Sequence, residues 1–160
     1  MGMKITTESL DRVMRSLNSA ETDVCNAVIR VFAKAGKLIV EKVRSGELSN
    51  WMDVSGNLRS SVGGVVCSKG RVVEEFGFEE VSGGSVGANV GRDVANRIAA
   101  QYAQYDTVLI IVAGMDYAVY VEAVNGKVVL SAAWLRLEKL LPTMLREEIS
   151  NVLKSYEKRY

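Results

Sequence analysis

One short stretch of this sequence is apolar on both faces of a strand, and it limits the folds open to the chain. Every side chain in residues 108–112 is apolar, so both the odd and the even positions of an alternating strand are hydrophobic. Such a strand needs cover on both sides. We therefore predict that residues 108–112 form the central strand of a sheet packed between helices. Two more strands are predicted after it, at residues 117–122 and 127–130, with a turn at Asn125 and Gly126 between them.

Helical spacing of apolar residues predicts the elements on either side of this region. A first apolar stripe predicts a short helix over residues 7–18, after which Asn18 or Ser19 caps a longer helix. The last part of the chain has a similar stripe and predicts a C-terminal helix. Pro142 lies within that stripe, so we expect it to kink the helix or to begin a second one.

The remaining strand signals lie between the long helix and the glycine-rich segment. Residues 58–66 and 71–76 alternate on either side of a Ser-Lys-Gly turn and predict a hairpin. Trp51, in the loop before the hairpin, is predicted to fold back on the core, the alternative being a ring that stacks on a ligand. At 160 residues the chain fits one domain. The predicted fold class is α+β, with an antiparallel sheet of about four to five strands packed against a long N-terminal helix and a C-terminal helix.

The composition bears on the kinds of site that the chain can build. There is no histidine, which removes His-based triads and most zinc sites. An enzyme would have to rely on carboxylates, Tyr117 or Tyr120, or Ser60 and Ser61, and no motif groups them, so we expect no enzyme activity, cofactor, metal or small-molecule substrate. The 20 basic and 19 acidic side chains nearly balance, so no polyanion partner is indicated. The longest apolar run, residues 108–113, is far shorter than the roughly 20 residues that cross a bilayer, so no membrane partner is expected. Cys25 and Cys67 are expected to be reduced core residues.

Residues 78–106 differ from the rest of the chain, being glycine-rich first and helical afterwards. Glycine amides at a helix N-terminus can hold a phosphate, but no Gly-Lys-Ser/Thr follows here and no buried strand precedes the glycines. We interpret the segment as a flexible linker or an insertion within the domain of residues 1–160. The alternative is a nucleic-acid-binding module that uses the loop from Gly83 to Arg92 together with Arg97.

Two short motifs give the chain a resemblance to a known family. Residues 53–63 read DVSGNLRSSVG, and residues 112–130 read VAGMDYAVYVEAVNGKVVL. In this order they are similar to the motifs of the phage minor tail or tail-completion proteins, which form the neck of long-tailed bacteriophages and of their prophage remnants. Residues 78–106 resemble an insertion in the branch from gut Bacteroidales. The motif positions are Asp53, Gly56, Leu58, Arg59, Ser61, Tyr117, Tyr120, Glu122 and Gly126.

The resemblance implies a structural role in a virion. Proteins of this family sit at the head-to-tail junction or the tail end and assemble into rings around the DNA channel. The implied partners are further copies of the chain, a hexamer being one option, and other neck or tail proteins, with DNA only as passing cargo. The implied locations are the virion neck or tail and, during assembly, the cytoplasm of the bacterial host.

The motif residues also predict specific contacts. Arg59 is expected to form a forked ion pair, either within one chain or between subunits, and Glu122 is the acidic candidate. An edge strand of the hairpin, or the glycine-rich segment, is expected to add to the sheet of a neighbouring subunit, because a closed ring needs such a head-to-tail contact.

Overall fold

A computed structural model describes residues 6–123 and 127–158, and the predicted turn at Asn125 and Gly126 lies outside them. The fold is α+β, with an antiparallel sheet, a long N-terminal helix and a C-terminal helix, as the sequence predicts. The helices are α1 (Thr7–Arg44), α2 (Asn57–Ser60), α3 (Ser85–Gln101), α4 (Ala118–Ala123) and α5 (Ser131–Glu157), and the strands are β1 (Val62–Ser68), β2 (Arg71–Gly77) and β3 (Thr107–Ala113).

The sheet has the strand order β2-β1-β3, and both pairs are antiparallel. β1 is therefore the central strand, and all its residues except Ser68 are buried. The prediction that residues 108–112 form the central strand is wrong, because β3 lies at an edge. Apolar side chains at every position show that both faces of a strand are covered. They do not show whether the strand pairs with one neighbour or with two.

Helices cover both faces of the sheet and divide the core into two layers. One core cluster joins α1 and α5 to the sheet and includes Ile39, Leu137 and the predicted core residue Trp51, which is 6% exposed. The other cluster joins α3 to the opposite face and includes Ala95 and Ile110. Successive side chains of β1 and β3 point alternately into the two clusters. The predicted packing of residues 108–112 between helices is confirmed.

The N-terminal helix is one continuous element, contrary to the predicted division at Asn18. The Thr6 side chain accepts a hydrogen bond from the Ser9 backbone N–H, and the Ser9 side chain accepts one from the Thr6 N–H, so α1 begins with a capping box. Asn18 lies inside α1, where its carbonyl accepts a hydrogen bond from the Thr22 hydroxyl. No proline or glycine interrupts the segment at this point, so the helix continues through a residue type that often caps.

The sheet has three strands among the described residues, instead of the four to five predicted. Residues 117–122 fall largely in α4, where the Tyr117 carbonyl accepts from the Val121 N–H at 2.9 Å. Residues 127–130 contain no strand and lead directly into α5. A six-residue segment is short enough to fit either the helical or the strand period, and here the local helical hydrogen bonds prevail.

Two further expectations concern single residues. α5 continues through Pro142, which neither ends the helix nor begins a new one. Cys67 is buried as expected, whereas Cys25 is exposed on α1, and both are free thiols.

Candidate functional site

The first motif folds into a tight turn that leads through α2 into β1. Gly56 has a φ of 77°, which a side chain rarely adopts, and a Cβ there would collide with the Val81 carbonyl. An Asp53 carboxylate oxygen accepts a hydrogen bond from the Arg59 backbone N–H at 2.8 Å. Leu58 is 2% exposed and anchors the turn in the core. The motif residues Asp53, Gly56 and Leu58 therefore fix the shape of this turn.

Two buried serines complete the turn. Ser61, which the motif predicts, donates its hydroxyl to the Leu58 carbonyl at 2.8 Å. Ser60, which sequence reasoning missed as a motif position, accepts a hydrogen bond from the Val81 N–H at 2.8 Å. Both serines are 0% exposed, so these bonds are made without competition from water. The Ser60 hydrogen bond therefore connects the motif turn to the segment that precedes α3.

The glycine-rich segment packs directly on the motif turn. A Cβ at Gly84, Gly87 or Gly91 would collide with the backbone carbonyl of Gly56, Asn57 or Ser61, respectively. Gly87 and Gly91 are four residues apart and therefore lie on one face of α3. The segment forms a packed helix over Ser85–Gln101, which corrects the flexible-linker interpretation for those residues. The spacing of the glycines at three and four residues was the signal in the sequence that could have revealed this packing.

A side-chain contact reinforces the same junction. The Asn57 side-chain carbonyl accepts a hydrogen bond from the Gly87 N–H at 3.1 Å. Gly84, at the N-cap position of α3, has no side chain that could cap the helix. Asn57 thus satisfies one of the N–H groups that a helix leaves open at its start. The motif turn and α3 consequently form one unit.

Arg59 is the motif residue whose charge has no acidic partner among the residues that the structure describes. Its guanidinium lies over the Trp51 ring, 5.3 Å from the ring centroid. Its Nε is buried and has no hydrogen-bond partner, and none of the ion pairs formed by the described residues includes it. Arg59 lines a cleft of about 750 Å³ beside edge strand β2, which we call the arginine cleft. The charged residues of the arginine cleft are Lys37, Glu41, Arg44, Arg59, Glu75 and Glu79.

The neighbouring guanidinium in the arginine cleft belongs to Arg44. Arg44 donates hydrogen bonds to the Val62 carbonyl at 3.3 Å and to the Glu79 carbonyl at 3.0 Å. Burial lowers the pKa of Arg44; the Glu79 carboxylate opposes this effect, and the positive charge of Arg59 adds to it. The arginine cleft therefore holds two guanidinium groups that repel each other, and Arg59 is the one without an acidic partner in the described part of the chain.

Glu122 does not supply that partner within the chain. Its carboxylate accepts hydrogen bonds from the Leu130 N–H at 3.3 Å and from the Ser131 N–H at 2.9 Å. Glu122 therefore caps α5 from outside the helix, and the expected pairing of Arg59 with Glu122 inside one chain is not formed. Burial alone would raise the pKa of Glu122, but hydrogen bonds from Ser131, Leu130 and Val129 together outweigh it and lower the pKa.

The second motif presents its aromatic residues to solvent on and beside α4. Val119 is 75% exposed and Tyr120 is 57% exposed, and Tyr117 is also exposed. Asp116, directly before them, is exposed and forms no ion pair or hydrogen bond within the described part of the chain. Gly126 of the same motif lies outside the described residues. We call the set of Asp116, Tyr117, Val119 and Tyr120 the tyrosine surface.

Two other apolar surfaces are open to solvent. The first turns of α1 carry an exposed stripe, which we call the α1 arm and which consists of Leu10, Val13, Met14 and Leu17. A groove of about 680 Å³ runs along edge strand β3 between α3 and α5, and we call it the β3 groove. Its lining is mostly apolar and includes Phe32, Ile98, Leu109, Trp134 and Leu137.

The chain matches no protein-family model, no curated protein and no solved structure. Across residues 6–123 and 127–158, no helix combines the length and the hydropathy that a membrane span requires. In the same residues, no three side chains of the types His, Cys, Asp and Glu are grouped so that they could hold a metal ion.

Proposed function

We propose that this protein is a structural component of a bacteriophage virion, a minor tail or tail-completion protein that assembles into a ring at the head-to-tail junction. The observation that carries the proposal is the number of separate apolar surfaces on a small chain. The α1 arm, the β3 groove and the tyrosine surface lie on different elements, and each exposes large hydrophobic side chains. Contiguous exposed apolar patches mark sites where proteins associate, and several of them on one chain are suited to a component with several neighbours.

The two edges of the sheet differ in a way that supports assembly through β3. β2 carries Arg71, Glu74 and Glu75, and charged residues on an edge strand discourage pairing with another chain. β3 has no charged residue, and its outer edge faces the apolar β3 groove. An extended segment of a neighbouring protein can add to such an edge by backbone hydrogen bonds and place its apolar side chains in the groove. We assign the β3 groove to a contact of this kind.

The motif turn is rigid, and this rigidity supports the proposed assembly. Asp53, Gly56, Leu58 and Ser61 are all used in contacts inside the chain, as described above. These contacts hold Arg59 and the arginine cleft at a fixed place beside β2. A component of a symmetric assembly benefits from such rigidity, because a preorganised surface loses less conformational entropy when it binds.

The alternative function, a nucleic-acid-binding module at the loop from Gly83 to Arg92, has less support. Gly84, Gly87 and Gly91 face the motif turn, and Arg92 pairs with Glu75 at 2.7 Å. These contacts engage Gly84, Gly87, Gly91 and Arg92, whereas Gly83 lies in open space and Arg97 forms no ion pair among the described residues. A filter-binding titration with DNA and RNA at several salt concentrations tests this alternative, which predicts strong binding that weakens as salt rises.

The proposed location can be tested in virus particles. Particles produced by the genome that encodes the chain are purified, their proteins are identified by mass spectrometry, and an antibody against the chain is imaged with a gold label. The proposal predicts that the chain is present and that the label lies at the head-to-tail junction or the tail end. A chain that is absent from intact particles, or a gene surrounded by metabolic enzymes instead of capsid, portal and tail genes, would contradict it.

A further inference from the structure

The α1 arm extends past the end of α5. The Tyr156 hydroxyl, one residue before the last residue of α5, donates a hydrogen bond to the Asp23 carboxylate and lies 3.1 Å from the Ser19 hydroxyl. Residues 7–18 of α1 therefore lie beyond α5, over a length of about 18 Å. The four apolar side chains of the arm are each 51–59% exposed. A helix of this length is only marginally stable alone in water, so a surface that covers the stripe stabilises it.

The stripe of the arm continues the buried face of α1. Apolar residues recur at alternating steps of three and four positions from the arm into the body of the chain, at Leu10, Val13, Leu17, Ala20, Val24, Ala27 and Val31. This heptad spacing is typical of a helix that packs on another helix. Within the body the repeat is covered: Ala27 is fully buried, and Val31 borders the same cavity as Met144 of α5. Beyond the end of α5 the same repeat is exposed.

The polar residues of the arm indicate which helix can cover it. All the charged residues of the arm lie on the face that points away from the stripe, at Glu8, Asp11, Arg12 and Arg15. The heptad positions that flank the stripe hold Thr7, Ser9, Met14 and Ser16. Charges at flanking positions select one partner over another in paired helices. Because these positions are uncharged here, two identical arms meet no like-charge repulsion where they touch.

The direction of α5 indicates how a second arm would lie. α5 runs antiparallel to α1, since Arg30 pairs with Glu148 and Asp23 with Tyr156. A helix that takes the place of α5 beyond its end therefore also runs antiparallel to α1. The apolar residues of the arm are separated by three, one and three positions, a spacing that is the same in both directions. Two antiparallel arms are therefore self-complementary, as a two-fold contact requires.

We infer that the α1 arms of two copies pack antiparallel in a two-fold pair, with Leu10 of each copy against Leu17 of the other. This inference goes beyond the proposed function, because it concerns copies of the chain outside a particle. The β3 groove includes Phe32 of α1, about four turns past the arm, so the pair leaves that groove open to a neighbouring protein. Four half-exposed side chains from each copy make a small interface, which dissociates readily when copies enter a ring.

One substitution in the stripe tests the contact. Leu17→Glu places a charge at a position that is exposed in the single chain. Asn18→Glu is the matched control, because it makes the same change in net charge at the neighbouring exposed residue, outside the stripe. Self-association is measured by sedimentation velocity from micromolar to millimolar concentration, after circular dichroism has confirmed folding. We expect Leu17→Glu to weaken association at least tenfold, since the charge enters the pair twice, and Asn18→Glu to behave like wild type.

Two results of this measurement would overturn the inference. The first is a wild type that stays monomeric at millimolar concentration. The second is a Leu17→Glu protein that associates as strongly as Asn18→Glu. Neither result bears on the proposed virion role, which the location of the chain in particles tests separately.

Disulfide cross-linking tests the direction of the pair. Leu10→Cys and Leu17→Cys are made separately in a Cys25→Ser background, where the remaining native thiol, Cys67, is buried, and the two proteins are mixed and oxidised. Antiparallel arms bring Leu10 of one copy to Leu17 of the other, so we expect the mixed disulfide to exceed both homodimeric disulfides several-fold. Parallel arms bring identical positions together, and a predominance of homodimeric disulfides would refute the antiparallel pair.

Discussion

Replacing Gly87 by alanine tests the packing of α3 on the motif turn, on which the position of Arg59 depends. A Cβ at Gly87 would lie 2.6 Å from the Asn57 carbonyl carbon and 2.7 Å from the Asn57 Cα. Both atoms belong to the backbone, so no side chain can rotate away. We expect α3 to move off the turn and the hydrogen bond from the Gly87 N–H to the Asn57 side chain to weaken or break.

The size of the effect follows from three contributions to the free energy of unfolding. Overpacking at a buried site costs about 1–3 kcal/mol. Loss of the Asn57 hydrogen bond costs about 1 kcal/mol. Alanine in place of glycine within a helix returns about 1 kcal/mol. Gly87→Ala should therefore destabilise the protein by about 1–3 kcal/mol, which lowers the melting temperature of a chain of this length by about 2–4 °C per kcal/mol.

Chemical denaturation followed by Trp51 and Trp134 fluorescence and by circular dichroism measures this change. Asn96→Ala is the control, because Asn96 is exposed on the same helix and the substitution there should leave stability equal or slightly higher. If Gly87→Ala is as stable as Asn96→Ala, α3 does not contact the motif turn and the reasoning about this junction is refuted.

Three further substitutions or treatments examine other contacts. Ser60→Ala should cost about 1–3 kcal/mol of stability, because it leaves the buried Val81 N–H without its acceptor, and urea denaturation measures the loss. Glu122→Gln should cost about 0.3–1 kcal/mol at neutral pH through the lost charge at the start of α5. Folding lowers the pKa of Glu122. The stabilisation of the folded state by the Glu122 charge is therefore complete above the unfolded pKa of about 4.3 and is lost as the pH falls through the folded pKa. Wild type and Glu122→Gln should consequently become equally stable at acid pH. Burial raises the pKa of Cys67, so iodoacetamide should modify exposed Cys25 in the folded protein and reach Cys67 only after denaturation, which intact mass spectrometry distinguishes.

The sequence was informative where burial follows a regular period. The amphipathic stripes located α3, α5 and, apart from the predicted division at Asn18, α1. The alternation around the turn at Lys69 and Gly70 located the hairpin of β1 and β2, but residues 58–60 of the predicted first strand form part of α2. These signals depend on which face of an element is buried, and that information is local. They did not reveal that β1 is central and β3 an edge strand, because strand order depends on pairing between distant segments.

The candidate site was harder to predict because its parts are far apart in the chain. Asp53, Leu58 and Arg59 were identified as motif residues, but the contacts of Ser60 with Val81 and of Asn57 with Gly87 join residues that are 21 and 30 positions apart. Their geometry exists only after α3 has packed. The glycines of α3 suggested flexibility in the sequence, and the structure shows that they permit close contact instead.

The second motif shows a different reason why the sequence did not predict the structure. Its alternation predicted a strand at residues 117–122, whereas the structure has α4 there and exposes Tyr117 and Tyr120. The helical period and the strand period both fit so short a segment. The capping of α5 by Glu122 favours the helical conformation, because it joins the end of α4 to the next helix. No pattern within the segment encodes that contact.

Electron cryomicroscopy of the neck region of virus particles, averaged with and without cyclic symmetry, is the most direct measurement of the proposed assembly. We expect a closed ring of copies of this chain around the DNA channel, with the β3 groove of each copy covered by a neighbouring protein. A neck that lacks the chain, or copies that associate as isolated two-fold pairs through a large apolar interface, would contradict it.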